Sequence, residues 1–310
     1  TVADLDGDGL KETAIALDNY ILICSIQQGQ FTQEAKIELS SSLNILSLDH
    51  YDLDNDQIPE LYLSAAKGPK LASLVVKFSA GNYVVAVENV PWFVRVVDLP
   101  EAGTTLVGQL LTDEDNPLKG EPFFVVSRDN KLDKGKPIKL PKRVNLFNFI
   151  PFVDDKGTSL SAYLTKGDYL KAVSLQGEEL WESSSYFGGS ETSFYAQAES
   201  ENEMVSPTYI PPRLLKTGSG DILVAQNDGQ RTMQRFRMYK ESRVVALRWN
   251  GFAFDEQWST SSQKGYLADF ALADIDNDGK NEVVMAMKFK HKGLFSKAKS
   301  GAKKDTPIKT

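Results

Sequence analysis

The sequence predicts an all-β chain of the propeller class, and three observations carry that expectation. Hydrophobic alternation of period two recurs almost throughout, long helical periodicity is absent, and a common landmark returns every roughly 40–60 residues. The landmark is an acidic or Gly/Ser-rich loop followed by a strand, a Gly-containing turn and an apolar or aromatic strand.

The elements follow in chain order. An acidic loop at Asp4 precedes the strand Ile21–Ile26, Gly29 and Phe31. A second at Asp52 precedes Leu74–Phe78, Gly81 and Tyr83–Val87. A decayed loop, Asp113-Glu114-Asp115-Asn116, precedes Gly135, and Asp154-Asp155 precedes Leu170–Leu175, Gly177 and Leu180-Trp181. The Gly/Ser-rich run Lys216–Asp221 precedes Val244–Trp249 and Asn250-Gly251, a strong hairpin signal because both residues tolerate positive φ. The fifth repeat is the longest, with an extra polar stretch at Asn227–Ser242, and a sixth loop at Asp274 precedes Gly293. Six repeats are expected, with seven as the alternative.

Three loops share one carboxylate spacing. Asp4, Asp6, Asp8 and Glu12, then Asp52, Asp54, Asp56 and Glu60, then Asp274, Asp276, Asp278 and Glu282 stand at positions 1, 3, 5 and 9. Alternating aspartates point several hard oxygens into one turn, as calcium requires; magnesium demands tighter octahedral geometry. Position 7 offers a backbone carbonyl, from Leu10, Ile58 and Lys280. Glycine at position 6 suits a left-handed backbone, and Gly9 and Gly279 supply it; Gln57 departs, at a cost of about 1 kcal/mol. Four carboxylates in nine residues repel one another until a cation joins them. Up to three Ca2+ sites are therefore expected. The flanks are strands, which argues against an EF-hand, and the three degenerate loops are expected to be metal-free turns.

Around these loops the composition is that of a globular protein, 41% hydrophobic and 25% charged. No apolar run reaches 18 residues, so no transmembrane segment is expected. Residues 288–310 hold eight lysines and one aspartate, a charge of +7, which leaves −14 for the rest of a chain of net −7. An acidic body argues against nucleic acid as a partner, while the basic tail suits an anionic surface. A single cysteine, Cys24, excludes a disulfide framework. His50 and His291 are the only histidines and form no ligand pair or triad, and His50 reads as a packing residue. Trp92, Trp181, Trp249 and Trp258 read mainly as fillers between blades.

Val2–Gly9 with Glu12, and Ala271–Gly279 with Glu282-Val283-Val284, resemble the FG-GAP / VCBS repeat of integrin-α-like β-propellers, in its bacterial form. The resemblance implies four-stranded antiparallel blades with the acidic loop joining the first two strands, and one calcium per complete loop. It implies a propeller over residues 1–290 and a basic tail or closing segment over 291–310, with further chain upstream of Thr1. The function it implies is a calcium-stabilised binding or scaffolding module, extracellular, periplasmic or outer-membrane associated, with a protein or glycan ligand on a propeller face. The alternative is a carbohydrate-active enzyme, a polysaccharide lyase or hydrolase, or a lectin. No catalytic arrangement stands out in the sequence.

Overall fold

The computed structural model describes residues 1–27, 29–112, 117–128, 131–196, 206–231 and 236–289. Its regular elements are all strands. Blade one is β1 (Val2–Ala3), β2 (Glu12–Leu17), β3 (Tyr20–Gln27) and β4 (Gln30–Glu38). Blade two is β5 (Asn44–Tyr51), β6 (Glu60–Lys67), β8 (Ser73–Ser79) and β9 (Asn82–Val90), with the short β7 (Lys70–Leu71) on β6. Blade three is β10 (Phe93–Leu99), β11 (Gly103–Gln109), β12 (Pro122–Arg128) and β13 (Lys131–Pro137). Blade four is β14 (Phe149–Val153), β15 (Ser159–Leu164), β16 (Tyr169–Ser174) and β17 (Glu179–Tyr186). A ribbon of β18 (Ser193–Phe194) and β19 (Thr208–Tyr209) follows. Blade five is β20 (Leu214–Lys216), β21 (Ile222–Gln230), β22 (Met238–Trp249) and β23 (Phe254–Ser259), with β24 (Gln263–Lys264) paired to β22. A two-stranded sheet, β25 (Tyr266–Ala273) and β26 (Glu282–Lys288), ends the described chain.

Every pairing between these strands is antiparallel, and strand order within each blade follows the chain. Period-two alternation and short turns dictate this, because consecutive strands joined by tight turns pair with each other first. The chain is thus a propeller of four-stranded antiparallel blades, but with five of them, not the six or seven expected. The Asp274 repeat supplies only β25 and β26 among the described residues. Its expected Gly293 landmark, and the basic tail with it, lie outside them.

The third repeat is also phased differently from the sequence reading. Its first two strands, β10 and β11, join through residues 100–102, and Gly135 lies inside β13 rather than in a turn. The expected loop at Asp113–Asn116 falls between β11 and β12 and lies outside the described residues. Acidic composition misled here because Pro117 and the long β11–β12 connection mimic a decayed first loop. In blades four and five the phase is as expected, and the loops are tight turns. Asp154 N–H donates to Thr158 O at 3.0 Å and Thr217 N–H to Asp221 O at 2.9 Å, with Gly157 and Gly220 at positive φ.

Apolar side chains gather at the boundaries between neighbouring sheets, so the core is a ring of seams. Ile21, Ile23, Leu48, Leu61 and Leu63 fill the seam of blades one and two. Tyr62, Val75, Val94 and Phe123 fill that of two and three. Trp249 and Phe254 pack with Phe152 and Trp181 between four and five. Leu223, Val244, Leu267 and Phe270 join blade five to β25. The ring closes between β25–β26 and blade one, and that seam is the thinnest, with Ile26, Ile275 and Val284 as its buried cluster. Burial of each such side chain contributes about 1.5–3 kcal/mol. Polar contacts supplement the thin seam: Lys11 N–H donates to Asn277 Oδ1 at 2.8 Å, and Asn277 Nδ2 donates to Lys11 O at 3.3 Å.

Residues on or next to the first strands of several units meet. Arg213, just before β20, donates from Nε to Asp269 Oδ1 of β25 at 2.6 Å and from Nη1 to Asp49 Oδ1 of β5 at 3.0 Å. Arg95 of β10 reaches Asp49 Oδ2 at 3.3 Å. Two guanidiniums and two carboxylates thus cancel in a network, buried at Asp49 and Arg95 and part-buried at Arg213 and Asp269, that ties blades two, three and five to β25.

Candidate metal centre

The three acidic loops sit on consecutive units of the ring. Two connect the first and second strands of blades one and two, and the third connects β25 to β26. Loops one and three meet through Lys11 and Asn277, and Gly7 of loop one lies against the Ile58 side chain of loop two.

Backbone geometry repeats in all three. Position 4 is left-handed at Gly7, Asn55 and Asn277, with φ of 82°, 59° and 60°. Position 6 is left-handed at Gly9, Gln57 and Gly279, with φ of 91°, 75° and 88°. Gln57 therefore adopts the strained conformation that glycine takes in the other two.

The hydrogen bonds repeat too. The amide at position 6 donates to the position 1 carboxylate: Gly9 to Asp4 at 3.0 Å, Gln57 to Asp52 at 2.9 Å, Gly279 to Asp274 at 3.1 Å. The amide at position 7 donates to position 5: Leu10 to Asp8 at 2.7 Å, Ile58 to Asp56 at 2.9 Å, Lys280 to Asp278 at 2.8 Å. The amide at position 2 donates to the closing glutamate: Leu5 to Glu12 at 2.8 Å, Leu53 to Glu60 at 3.2 Å, Ile275 to Glu282 at 3.1 Å. These amides fix the directions of the position 1, position 5 and closing carboxylates.

Carboxylate oxygens of the loops converge into four groups whose ligand atoms lie within 4.8 Å of one another. They are Asp4, Asp6 and Asp8; Asp6, Glu12 and Glu34; Asp52, Asp54 and Glu60; and Asp274, Asp276 and Glu282. All donors are hard carboxylate oxygens with several orientations open, which fits a calcium-like cation. Asp56 and Asp278 stand outside the converging sets of their loops. Glu34 was not legible in the sequence, because it comes from β4, at the far side of the blade, with no motif around it.

The loops differ in their charge environment. In loop one, burial pushes the Glu12 carboxyl up to about 7 and raises Asp6. In loop two, the Lys77 ammonium lies 2.9 Å from Asp54 Oδ2 and 3.6 Å from Asp56 Oδ2, and its hydrogen bond holds the Asp54 carboxyl below its usual range. Burial raises Glu60, whose Oε2 also accepts Tyr62 O–H at 3.0 Å. In loop three, Lys11 Nζ approaches Asp274 Oδ2 at 3.5 Å, and Lys280 pairs with its near neighbour Asp278 at 3.3 Å.

Other residues singled out in the sequence have packing roles. His50 Nδ1 is 2.6 Å from Thr1 Oγ1, and burial lowers its pKa to about 4. Trp92, Trp181 and Trp249 pack edge-on or tilted against phenylalanines, while Trp258 is partly exposed. The long fifth hairpin is pinned to blade four by Asp168, which Arg237 Nη1 approaches at 3.0 Å and Arg231 Nε at 3.3 Å. No helix among the described residues is long and apolar enough to cross a membrane.

Residues 4–63 match the family model of the FG-GAP-like repeat. That span runs from the first aspartate of loop one into β6, past the end of loop two. No curated protein sequence matches the chain. Similar solved structures include a protein of unknown function from Bacteroides caccae, 12% identical, with 90% of this chain and 83% of that chain covered and a TM-score of 0.47. BBS1N in complex with ARL6DN is 13% identical, with 93% and 87% covered and a TM-score of 0.45.

Proposed function

Taking the chain as an FG-GAP repeat β-propeller, we propose that it is a calcium-stabilised binding or scaffolding module working outside the cytosol. One observation carries this reading: three consecutive loops share two left-handed positions and three amide-to-carboxylate bonds, and carboxylate oxygens converge in each. In loop one Asp4, Asp6, Asp8 and Glu12 would hold the ion. In loops two and three Asp52, Asp54 and Glu60, and Asp274, Asp276 and Glu282, would do so. Carbonyls of Leu10, Ile58 and Lys280, with Asp56 and Asp278, complete the expected donor sets.

The ion supplies charge neutralisation. The chain's residues fix its place: amides at positions 2, 6 and 7 aim the carboxylates, and the closing glutamates, buried at Glu12 and Glu60 and half-buried at Glu282, anchor each loop to its second strand. Sites of extracellular modules bind at roughly 10⁻⁴–10⁻³ M, which matches calcium outside cells and motivates an extracellular or envelope location. A protein or glycan on a propeller face is the expected ligand.

Thermal unfolding of the full chain with 1 mM calcium and with chelator tests the stabilisation. A site with a Kd of about 10⁻⁴ M adds about 1.4 kcal/mol, and a few such sites raise Tm by several degrees. Superimposable melts would remove the structural role of the ion.

A further inference from the structure

The cross-strand partner of each loop's closing residue decides how that loop is neutralised. Continuing the Leu61–Val76 pairing by one residue puts Lys77 of β8 opposite Glu60. The ammonium crosses to the loop, 2.9 Å from Asp54 Oδ2 and 3.6 Å from Asp56 Oδ2. Continuing the Ile222–Leu247 pairing puts Arg248 of β22 opposite Asp221 in blade five. Its Nε and Nη2 donate to Asp221 Oδ1 at 2.7 Å and Oδ2 at 3.1 Å. Blade one differs. Continuing the Thr13–Cys24 pairing puts Ser25 opposite Glu12, and Ser25 is buried and neutral. Among the described residues no lysine or arginine forms an ion pair with Asp4, Asp6, Asp8, Glu12 or Glu34, and Glu34 adds a carboxylate to Asp6 and Glu12.

We propose that Lys77 is a tethered counter-ion that stands in for metal in the second loop, and that Glu34 is an additional metal-directed carboxylate in the first. The protein's three complete loops are then unequal: loop one takes a divalent cation most strongly, and loop two takes it least. This rests on the calcium reading above. It explains how loop two keeps its fold with Gln57 at a strained position and an ammonium among its acids. It also makes one third-strand position, occupied by Ser25, Lys77 or Arg248, the switch between a metal-requiring loop and a self-neutralised one.

Calorimetric calcium titration of the full chain tests the assignment, with Lys77→Ser, Lys77→Met and Glu34→Gln compared with wild type. Lys77→Ser installs blade one's residue; Lys77→Met keeps the aliphatic stem, so a folding defect of one variant is checked by the other. Either Lys77 variant is expected to tighten the weakest calcium step roughly tenfold, the effect of removing one unit charge a few ångströms from a divalent ion in a high dielectric. Glu34→Gln is expected to weaken the tightest step by a similar factor and leave the weakest unchanged. Folded variants with the wild-type isotherm would overturn the proposal while leaving the calcium reading intact. A wild type that binds no calcium would overturn both.

Discussion

Loops one and two share left-handed positions 4 and 6, three amide-to-carboxylate bonds and one carboxylate spacing, yet they face opposite electrostatic problems. Loop one gathers Asp4, Asp6, Asp8, Glu12 and Glu34 with no lysine or arginine paired to them among the described residues, since its own Lys11 turns to Asp274 of loop three, and burial pushes the Glu12 carboxyl up to about 7. Loop two has an ammonium in place, and its Asp54 is held low. The difference teaches that motif spacing sets the shape of such a loop, while a residue from another strand sets its need for metal. Loop shape is local chemistry; loop charge is a property of the sheet.

The network of Arg213, Arg95, Asp49 and Asp269 extends the comparison to its limit, because these side chains neutralise one another. Arg213→Ala is therefore expected to have the largest effect, a loss of about 3–5 kcal/mol, equal with calcium and with chelator. A calcium-dependent loss, read by urea unfolding, would break the separation between self-neutralised and metal-requiring clusters. The same network predicts acid sensitivity. Burial alone would raise the Asp269 carboxyl, but Arg213's charge and hydrogen bond outweigh it and hold that carboxyl below its usual range. Its contribution is then fully present above the ordinary carboxylate pKa of about 4 and is lost as pH falls through the lower folded value. Arg213→Ala is expected to flatten the acid limb of a stability–pH profile.

Asp4→Asn is next in size. Removing the position 1 carboxylate of loop one is expected to lose about 1.4 kcal/mol of calcium-linked stability, and the matching Asp52→Asn clearly less. Equal losses would contradict the inequality of the loops. The smallest effect is at Gln57. Gln57→Gly relieves a left-handed non-glycine residue at φ 75° and is expected to stabilise the chain by up to about 1 kcal/mol, while Gly9→Gln in loop one costs a similar amount. Chemical unfolding with chelator present reads both without the ion.

Much of this was legible in the sequence, for local reasons. Alternation and turn residues encode strand pairing, so hairpins such as that at Asn250-Gly251 and the propeller class could be read directly. The acidic loops could be read because their ligands lie within nine residues. Blade count could not, since Asp274 marks the start of a repeat but says nothing of how many strands follow it. The third repeat was misphased because an acidic run between β11 and β12 resembles one between first strands. Glu34, Lys77 and Arg213 carry no motif at all. Their roles come from cross-strand register and ring closure, which bring together residues tens to hundreds of positions apart.

The most direct test of the central claim is a crystal of the full chain soaked in a calcium-like lanthanide, with the anomalous signal compared among loops. The account predicts the strongest peak within roughly 2.3–2.6 Å of oxygens from Asp4, Asp6, Asp8 and Glu12, and the weakest at Asp52–Glu60. No peak at the first loop, or a stronger one at the loop that holds Lys77, would contradict it.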